Sequence, residues 1–279
     1  MMSQLTQDAD ELLLEQLGRV LVLTLNRPEN LNALNPPLMR SLNTALRDAT
    51  NNRDVGAVVL TGAGRGFCAG GDVKQRRKAE AAGQDDNASA PRAAAPLSFD
   101  AEADWLARSG EATRLLFDMP KTTIAMINGP CAGAGLNLAG ACDLRFAAHS
   151  AVLLSAFAQI DAPGDYGGPW IWSRLLGQAK ARELFMLGGR FPAQEALQFG
   201  LVNRVFDDER LREETLAVAE QLSHRASIRY LKADFRAAEH LPLPQYLDFE
   251  ASNQARNRIA RQRAQVGRTN HSSGKGEAK

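Results

Sequence analysis

The chain has 279 residues, 44% of them hydrophobic and 23% charged, a composition typical of globular proteins with a sizeable core and unlike that of disordered or fibrous ones. Its 33 Lys and Arg residues nearly balance 32 Asp and Glu residues, which leaves a formal net charge of +1. We therefore expect no global electrostatic attraction to nucleic acid or to an anionic membrane.

Three cysteines, Cys68, Cys131 and Cys142, form no CxxC pair and have no neighbouring histidine pair in the sequence. This odd number predicts neither a disulfide framework nor a zinc site, so no metal is expected. The first 16 residues are acidic and lack a basic region followed by an apolar run, and no stretch approaches the roughly 18 apolar residues of a membrane span. We expect a cytoplasmic protein.

Strands and helices alternate in the first part of the chain. Residues 19–25 (RVLVLTL) predict a strand, because they are aliphatic and β-branched and are followed by Asn-Arg-Pro, which favours a turn. Leu and Ala at helical spacing predict a helix over 36–50, and 57–61 (AVVLT) a short buried strand before the glycine-rich residues 62–66. This order favours an α/β architecture.

Residues 75–100 interrupt the pattern, since they are rich in Ala, Asp, Gln, Pro and Arg without apolar periodicity. They predict a loop or a frayed helix. Beyond them, a helix around 106–117, a strand over 123–127 and a glycine-rich turn over 128–135 repeat the earlier order.

From residue 178 onward the pattern is mostly helical. We predict an α/β core over residues 1–205 and a helical C-terminal segment over 206–279 that serves oligomerisation. The end of this segment is basic and then small and polar, which predicts a disordered tail.

Five motifs carry the chemical information. In chain order they are NRPENLNAL (26–34), FCAGGD (67–72), GPCAGAGLNLAGACDL (129–144), GDYGG (164–168) and an AxxxGLVNRV-like stretch (196–205). Together they resemble the crotonase (enoyl-CoA hydratase/isomerase) superfamily over roughly residues 15–240. The resemblance implies a crotonase-like ββα spiral core.

The resemblance also implies an oxyanion hole formed by the backbone N–H groups of Gly71 and Ala134. Fixed backbone donors stabilise the negative oxygen of a thioester enolate, and the second donor would lie where a helix begins, so the helix dipole adds to the effect. Asp72 is expected to cap a helix that follows it.

By the same resemblance, the partner is an acyl-CoA thioester whose coenzyme A belongs to the substrate, and no separate cofactor is needed. Arg27, Asn30, Ala33 and Ala69 would contact the coenzyme A portion. Assembly into a homotrimer or hexamer through the C-terminal helices is also implied.

The proton-transferring groups depart from those of hydratases. True enoyl-CoA hydratases carry two glutamates at the positions of Asn137 and Phe157, and neither of these residues can accept a proton. Asp165 falls where the isomerase branch, including epoxyphenylacetyl-CoA and dienoyl-CoA isomerases, carries a catalytic aspartate. The resemblance thus implies a proton shuttle at Asp165, with Asp161 as second candidate and an ordinary turn-forming role for Asp165 as the alternative.

Several roles stay open at this point. Asn137 either bonds a substrate group or water, or satisfies backbone in the first turn of its helix. Phe157, Trp170 and Trp172 either line an apolar acyl pocket or belong to the core. The sequence does not identify the acyl group.

Three functions follow, with an enoyl-CoA isomerase acting through Asp165 as the leading one. The second is a hydratase, or a related acyl-CoA lyase or hydrolase, in which Asp165 or Asp161 activates water. The third is a non-catalytic homologue that binds CoA esters or RNA, against which the near-neutral charge and the two intact glycine loops both argue.

Overall fold

A computed structural model describes residues 11–72 and 98–273, so most of the predicted break at 75–100 and the last residues of the tail lie outside the described chain. The chain divides into two compact units, one ending at His224 and one beginning at Arg225. Among the described residues no helix is both long and apolar enough to cross a bilayer.

The first unit contains two sheets and eight helices among the residues described. Its strands are β1 (Leu12–Leu17), β2 (Val20–Leu25), β3 (Ala57–Gly62), β4 (Thr122–Ile127), β5 (Cys131–Ala132), β6 (Leu144–Ala148), β7 (Val152–Ser155), β8 (Gly189–Pro192) and β9 (Arg204–Phe206). Its helices are α1 (Pro36–Asn51), α2 (Phe99–Ser109), α3 (Glu111–Asp118), α4 (Ala134–Ala141), α5 (Gly168–Leu176), α6 (Gln178–Met186), α7 (Ala193–Phe199) and α8 (Leu211–Ser223).

The larger sheet has six strands in the order β1-β2-β3-β4-β6-β9. Only β1 and β2 pair antiparallel; the other neighbours are parallel, with Val20 opposite Ala57 and Ala57 opposite Thr122. β3 and β4 are buried at every residue, as expected for parallel strands covered on both faces. A smaller sheet, β5-β7-β8, carries the second glycine-rich turn. The predicted α/β class is confirmed.

Most local predictions agree with the structure. Helix α1 begins directly after Asn35, whose side-chain oxygen accepts the N–H of Leu38 at 3.0 Å, with proline in its first turn. The single helix predicted around 106–117 is instead two helices, α2 and α3, which meet at Gly110. Glycine weakens a helix because its backbone loses more freedom there than that of any other residue.

Helix α8 shows where the core ends. Its buried residues recur at every fourth position, Leu211, Thr215, Ala219 and Ser223, and it packs on β2, β3, β4 and β6. The first unit therefore extends to His224, and the boundary predicted between 205 and 206 is too early because α8 covers the main sheet.

The second unit is a pair of helices, α9 (Ile228–Ala238) and α10 (Leu243–Ser273), packed on each other. The Asn253 side-chain amide donates to Asp234 at 2.7 Å between them. Helix α10 continues to Ser273 through much of the predicted disordered tail, and residues 274–279 lie outside the described chain. Its predicted role in oligomerisation stays a prediction.

The contact between α8 and the start of β3 can be tested with Gly56→Ala. A Cβ at this position would lie 2.2 Å from the carbonyl oxygen of Ser223, so backbone must move. We expect a loss of roughly 1–3 kcal/mol in the free energy of unfolding, measured by urea denaturation. Gly110→Ala is the control, since its Cβ would meet nothing closer than 3.4 Å. Equal midpoints for the two variants would contradict this packing.

Candidate active site

The two glycine-rich segments pair with each other in parallel. The carbonyl of Cys68 accepts the N–H of Ala132 at 2.8 Å, and Cys68 forms a parallel bridge with Cys131. Gly71 and Ala134 each follow the bridged cysteine of their own segment by three residues. The two residues predicted as oxyanion donors therefore occupy equivalent positions in the paired segments.

The N–H of Gly71 faces away from the neighbouring strand-like segment. Leu34 donates to the carbonyl of Gly70 at 2.7 Å and accepts the N–H of Asp72 at 2.9 Å. In a parallel bridge these two bonds use the neighbours of Gly71, so its own N–H points to the other side. Gly71 is exposed, and a Cβ there would meet nothing within 4 Å.

Ala134 is the first residue of α4, where backbone N–H groups have no partner within the helix. The preceding Gly133 donates to Leu154 at 3.1 Å, which fixes the start of the helix. Gly70 approaches this start closely: it has φ +96°, and a Cβ on it would lie 3.0 Å from the oxygen of Ala132 and 3.5 Å from the nitrogen of Ala134. Only glycine fits here, and the first segment thus lies against the N-terminus of α4.

The three cysteines are free and buried around these segments. Burial raises the pKa of the Cys68 thiol to about 12, and burial likewise raises the pKa of Cys131. Both are therefore neutral thiols at physiological pH, which favours a packing role over nucleophilic chemistry.

Asp165 lies in an unusual turn before α5. Positive φ angles occur at Asp161 (53°), Gly164 (111°), Tyr166 (46°) and Gly167 (72°). The Asp165 carbonyl accepts the Asn137 side-chain amide and the N–H of Gly168, both at 2.9 Å, while Thr113 donates to the Tyr166 carbonyl at 3.1 Å. A left-handed tyrosine is strained, and such strain persists where the surroundings hold the chain in place.

The carboxyl group of Asp165 is half-buried, and its Oδ1 is enclosed without a hydrogen-bond partner. Burial raises its pKa from 3.8 to about 6, and the nearby Asn137 amide lowers it by a smaller amount. An ionised carboxylate that takes up a proton near neutral pH suits general acid–base chemistry.

The side chain of Asn137 is fully enclosed and bonded at both ends of its amide. Besides the Asp165 carbonyl, it contacts Trp172, whose indole N–H donates to its Oδ1 at 3.1 Å. These partners lie outside the first turn of its own helix, and the expected contact of Asn137 with a substrate group or water stays a prediction.

Comparison with known proteins decides the family. A sequence profile described as enoyl-CoA hydratase/isomerase matches residues 15–272. The chain is a member of the enoyl-CoA hydratase/isomerase family, within the crotonase superfamily. It is an enzyme of this family.

Relatives with different activities resemble this family member. The 1,2-epoxyphenylacetyl-CoA isomerase of Escherichia coli (strain K12) is 33% identical over 237 residues, 84% of this chain and 85% of that protein. A probable enoyl-CoA hydratase of Rhizobium meliloti (strain 1021) is 34% identical over 214 residues, 77% of this chain and 76% of that protein. A solved enoyl-CoA hydratase of Polaromonas sp. JS666 superposes with a TM-score of 0.77 and 33% identity, over 88% of this chain and 91% of that one.

Arg27 braces the segment that the sequence predicts to contact coenzyme A. Its guanidinium donates to the Ala33 carbonyl at 2.5 Å and pairs with Glu11 at 3.3 Å and Asp72 at 3.0 Å. The side chain is 9% exposed, so it orders the segment and the residue beside Gly71 rather than presenting a free cation to phosphates. Any helix capped by Asp72 would begin outside the described residues.

The other residues predicted to contact coenzyme A differ in exposure. Asn30 and Ala69 are exposed, whereas Ala33 is buried and donates its N–H to Asn30 at 3.1 Å. Sequence reasoning missed Asn32, which is fully buried at φ +56° and bonds Arg27, Ala63 and Gly66. The tolerance of asparagine for left-handed backbone was the available signal.

The predicted aromatic residues divide between core and surface. Phe157 is 4% exposed and stacks on Phe185 with ring centroids 5.6 Å apart, and Trp172 is fully buried. Trp170 is 42% exposed; with Phe117 and other residues of α3 and α5 it lines an open cavity of about 240 Å³. Asp161, the second acid candidate, is exposed at the end of a short 3-10 helix.

Gly70→Ala tests the approach of the two segments. Its Cβ would press on Ala132 and shift Gly71 relative to Ala134, so we expect turnover of an enoyl-CoA to fall by roughly 10²–10³, as for loss of an oxyanion donor. Gly177→Ala is the matched control: it also has positive φ, but a Cβ there meets nothing within 4 Å. If both variants lose turnover only in proportion to lost folded protein, the close approach does not serve the site.

Proposed function

We propose that this enzyme isomerises an enoyl-CoA thioester by proton transfer through Asp165, while the N–H groups of Gly71 and Ala134 hold the enolate oxygen. The observation that most supports this proposal is the state of the Asp165 carboxyl group, which has an enclosed oxygen without a hydrogen-bond partner and a pKa raised to about 6. An acid with this pKa both accepts and returns a proton near neutral pH.

The placement of Asp165 supports this role. Asn137 bonds the Asp165 carbonyl and lies three residues after Ala134 in α4, or about 4.5 Å along the helix axis. The turn that carries Asp165 is therefore attached to the same helix that begins at the proposed donor Ala134. A thioester whose oxygen sits at Gly71 and Ala134 would present its adjacent carbons toward Asp165.

The proposed reaction needs one carboxylate and no water. Ionised Asp165 removes a proton from one carbon, and the electron pair delocalises onto the thioester oxygen, where the two N–H groups stabilise the charge. The resulting carboxylic acid then returns the proton to another carbon of the same conjugated system. The double bond shifts, and Asp165 is ionised again.

Side chains at the two glutamate positions of hydratases favour isomerisation over hydration. Phe157 is stacked on Phe185, and the Asn137 amide is bonded to protein groups, so neither holds nor ionises water. The relative named as 1,2-epoxyphenylacetyl-CoA isomerase agrees with this choice. A hydratase using Asp165 or Asp161 is the second candidate, and relatives with hydratase names favour it.

We also propose how coenzyme A and the assembly are arranged. Exposed Asn30 and Ala69 would contact the nucleotide portion of the substrate, on a segment that Arg27 holds in shape. A homotrimer or hexamer through the second unit is supported by its exposed apolar side chains, which include Leu231, Phe235 and Leu243.

Asp165→Asn should lower kcat by about 10²–10⁴ because it removes the only proposed proton carrier, while CoA-ester affinity changes little. The assay follows a 3-enoyl-CoA in deuterated water by NMR, which reports double-bond position and deuterium incorporation together. Asp161→Asn is the control and should retain activity. Near-full activity of Asp165→Asn, or incorporation of solvent oxygen into product by the wild type, would overturn the proposal.

The pH dependence of kcat/KM gives an independent test. Asp165 must be ionised in the free enzyme to take the first proton, so kcat/KM should fall about tenfold per pH unit below a pKa of about 6 and level off above it. This decrease of kcat/KM at low pH should be absent from the residual activity of Asp165→Asn. A decrease of kcat/KM that begins only near pH 4, where an ordinary aspartate titrates, would show that another group acts as base.

A further inference from the structure

The Asn137 amide connects the Asp165 turn to the indole of Trp172. Its Nδ2 donates to the Asp165 carbonyl at 2.9 Å, and its Oδ1 accepts the Trp172 Nε1–H at 3.1 Å. Asn137 and Trp172 are both fully buried. These contacts join α4, the turn and α5, although 28 and 35 positions separate the bonded residues.

The indole determines which way the amide faces. Indole N–H can only donate, so the oxygen of Asn137 must face Trp172 and its NH₂ group must face Asp165. The ring itself is enclosed, with the Arg145 guanidinium 5.9 Å from its centroid. Trp172 therefore fixes the orientation of Asn137, and Asn137 in turn holds the turn.

The turn fits closely against this amide. A Cβ on Gly168 would lie 2.5 Å from Asn137 Nδ2. Thr113 holds the next carbonyl, that of Tyr166, from α3 at 3.1 Å. Two successive carbonyls are thus held by side chains, while Asp165 Oδ1 keeps no partner. The backbone is clamped and the carboxyl group remains available for chemistry.

We infer that Asn137 and Trp172 are positioning residues, which set the direction of the Asp165 carboxyl group and do not contact substrate. The inference rests on the proposed role of Asp165. It also implies that Asn137 has a role of its own and is not merely the loss of a catalytic acid. A carboxylate at this position has no donor for the Asp165 carbonyl, and a glutamate adds a methylene to an enclosed site.

The test compares Asn137→Asp and Trp172→Phe with Leu175→Ala, a control at an exposed residue of the same helix. Each variant is assayed for kcat, KM, the pH profile of kcat/KM and the thermal midpoint. Asn137→Asp keeps the shape but removes the NH₂ donor and adds an acid beside Asp165. We expect kcat to fall roughly 10–10²-fold with KM nearly unchanged, as for a misplaced catalytic group. The pH below which kcat/KM falls should rise above 6, because two neighbouring carboxyl groups resist double ionisation.

Trp172→Phe removes the indole N–H and should lower kcat in the same way, again with little change in KM. Combining it with Asn137→Asp should cost less than the product of the two effects, since both act on one contact. Leu175→Ala should keep wild-type kcat and pH profile.

Other outcomes are decisive. A raised KM with unchanged kcat would make Asn137 a substrate contact, and a lowered midpoint with unchanged kcat and pH profile would make it merely structural; either overturns the inference. Asp165→Asn distinguishes a failure of the proposed function from a failure of the positioning role. If it stays active, the proposed function fails. If Asp165→Asn is inactive while Asn137→Asp and Trp172→Phe behave as wild type, only the positioning role fails.

Discussion

The site depends on the parallel pairing of two glycine-rich segments. Hydrogen bonds from the N–H of Cys68 to the carbonyl of Pro130 and from the N–H of Ala132 to the carbonyl of Cys68 hold the segments side by side. Gly70 allows the backbones to approach because any Cβ would press on Ala132. The proposed donors, Gly71 and Ala134, belong to these two segments, so their placement depends on backbone alone.

Around this pairing, the described fold supplies fixed dipoles and the half-buried carboxyl group of Asp165. The N-terminus of α4 is favourable for a negative oxygen, while burial disfavours the ionised form of Asp165. In the proposed reaction these two effects act together. Negative charge leaves Asp165, where burial penalises it, and appears at the oxyanion donors, where the amides stabilise it. The raised pKa thus lowers the cost of the first proton transfer.

The sequence predicted the parts of the structure that depend on neighbouring residues. Strands β3 and β4, helix α1 and the two glycine-rich turns follow from local pattern. The motifs singled out Gly71, Ala134 and Asp165, whose roles stay predictions. Contacts across the fold were not predictable in this way. Arg27 turned out to pair with Glu11 and Asp72, and α8 to cover the main sheet, because both outcomes depend on which segments pack together.

Asn137 illustrates the same limit most clearly. Its position in a helix beside the glycine loop suggested chemistry, but its role depends on a carbonyl and an indole far away in the sequence. No local pattern specifies that an amide, rather than a carboxylate, satisfies a carbonyl at one end and an indole N–H at the other. Because the proposed oxyanion donors are backbone groups, side chains such as Asn137 and Phe157 can differ without disturbing them. In the proposed site, the backbone would stabilise the enolate and the side chains would decide whether a proton or a water molecule is delivered, and relatives of this chain carry both isomerase and hydratase names.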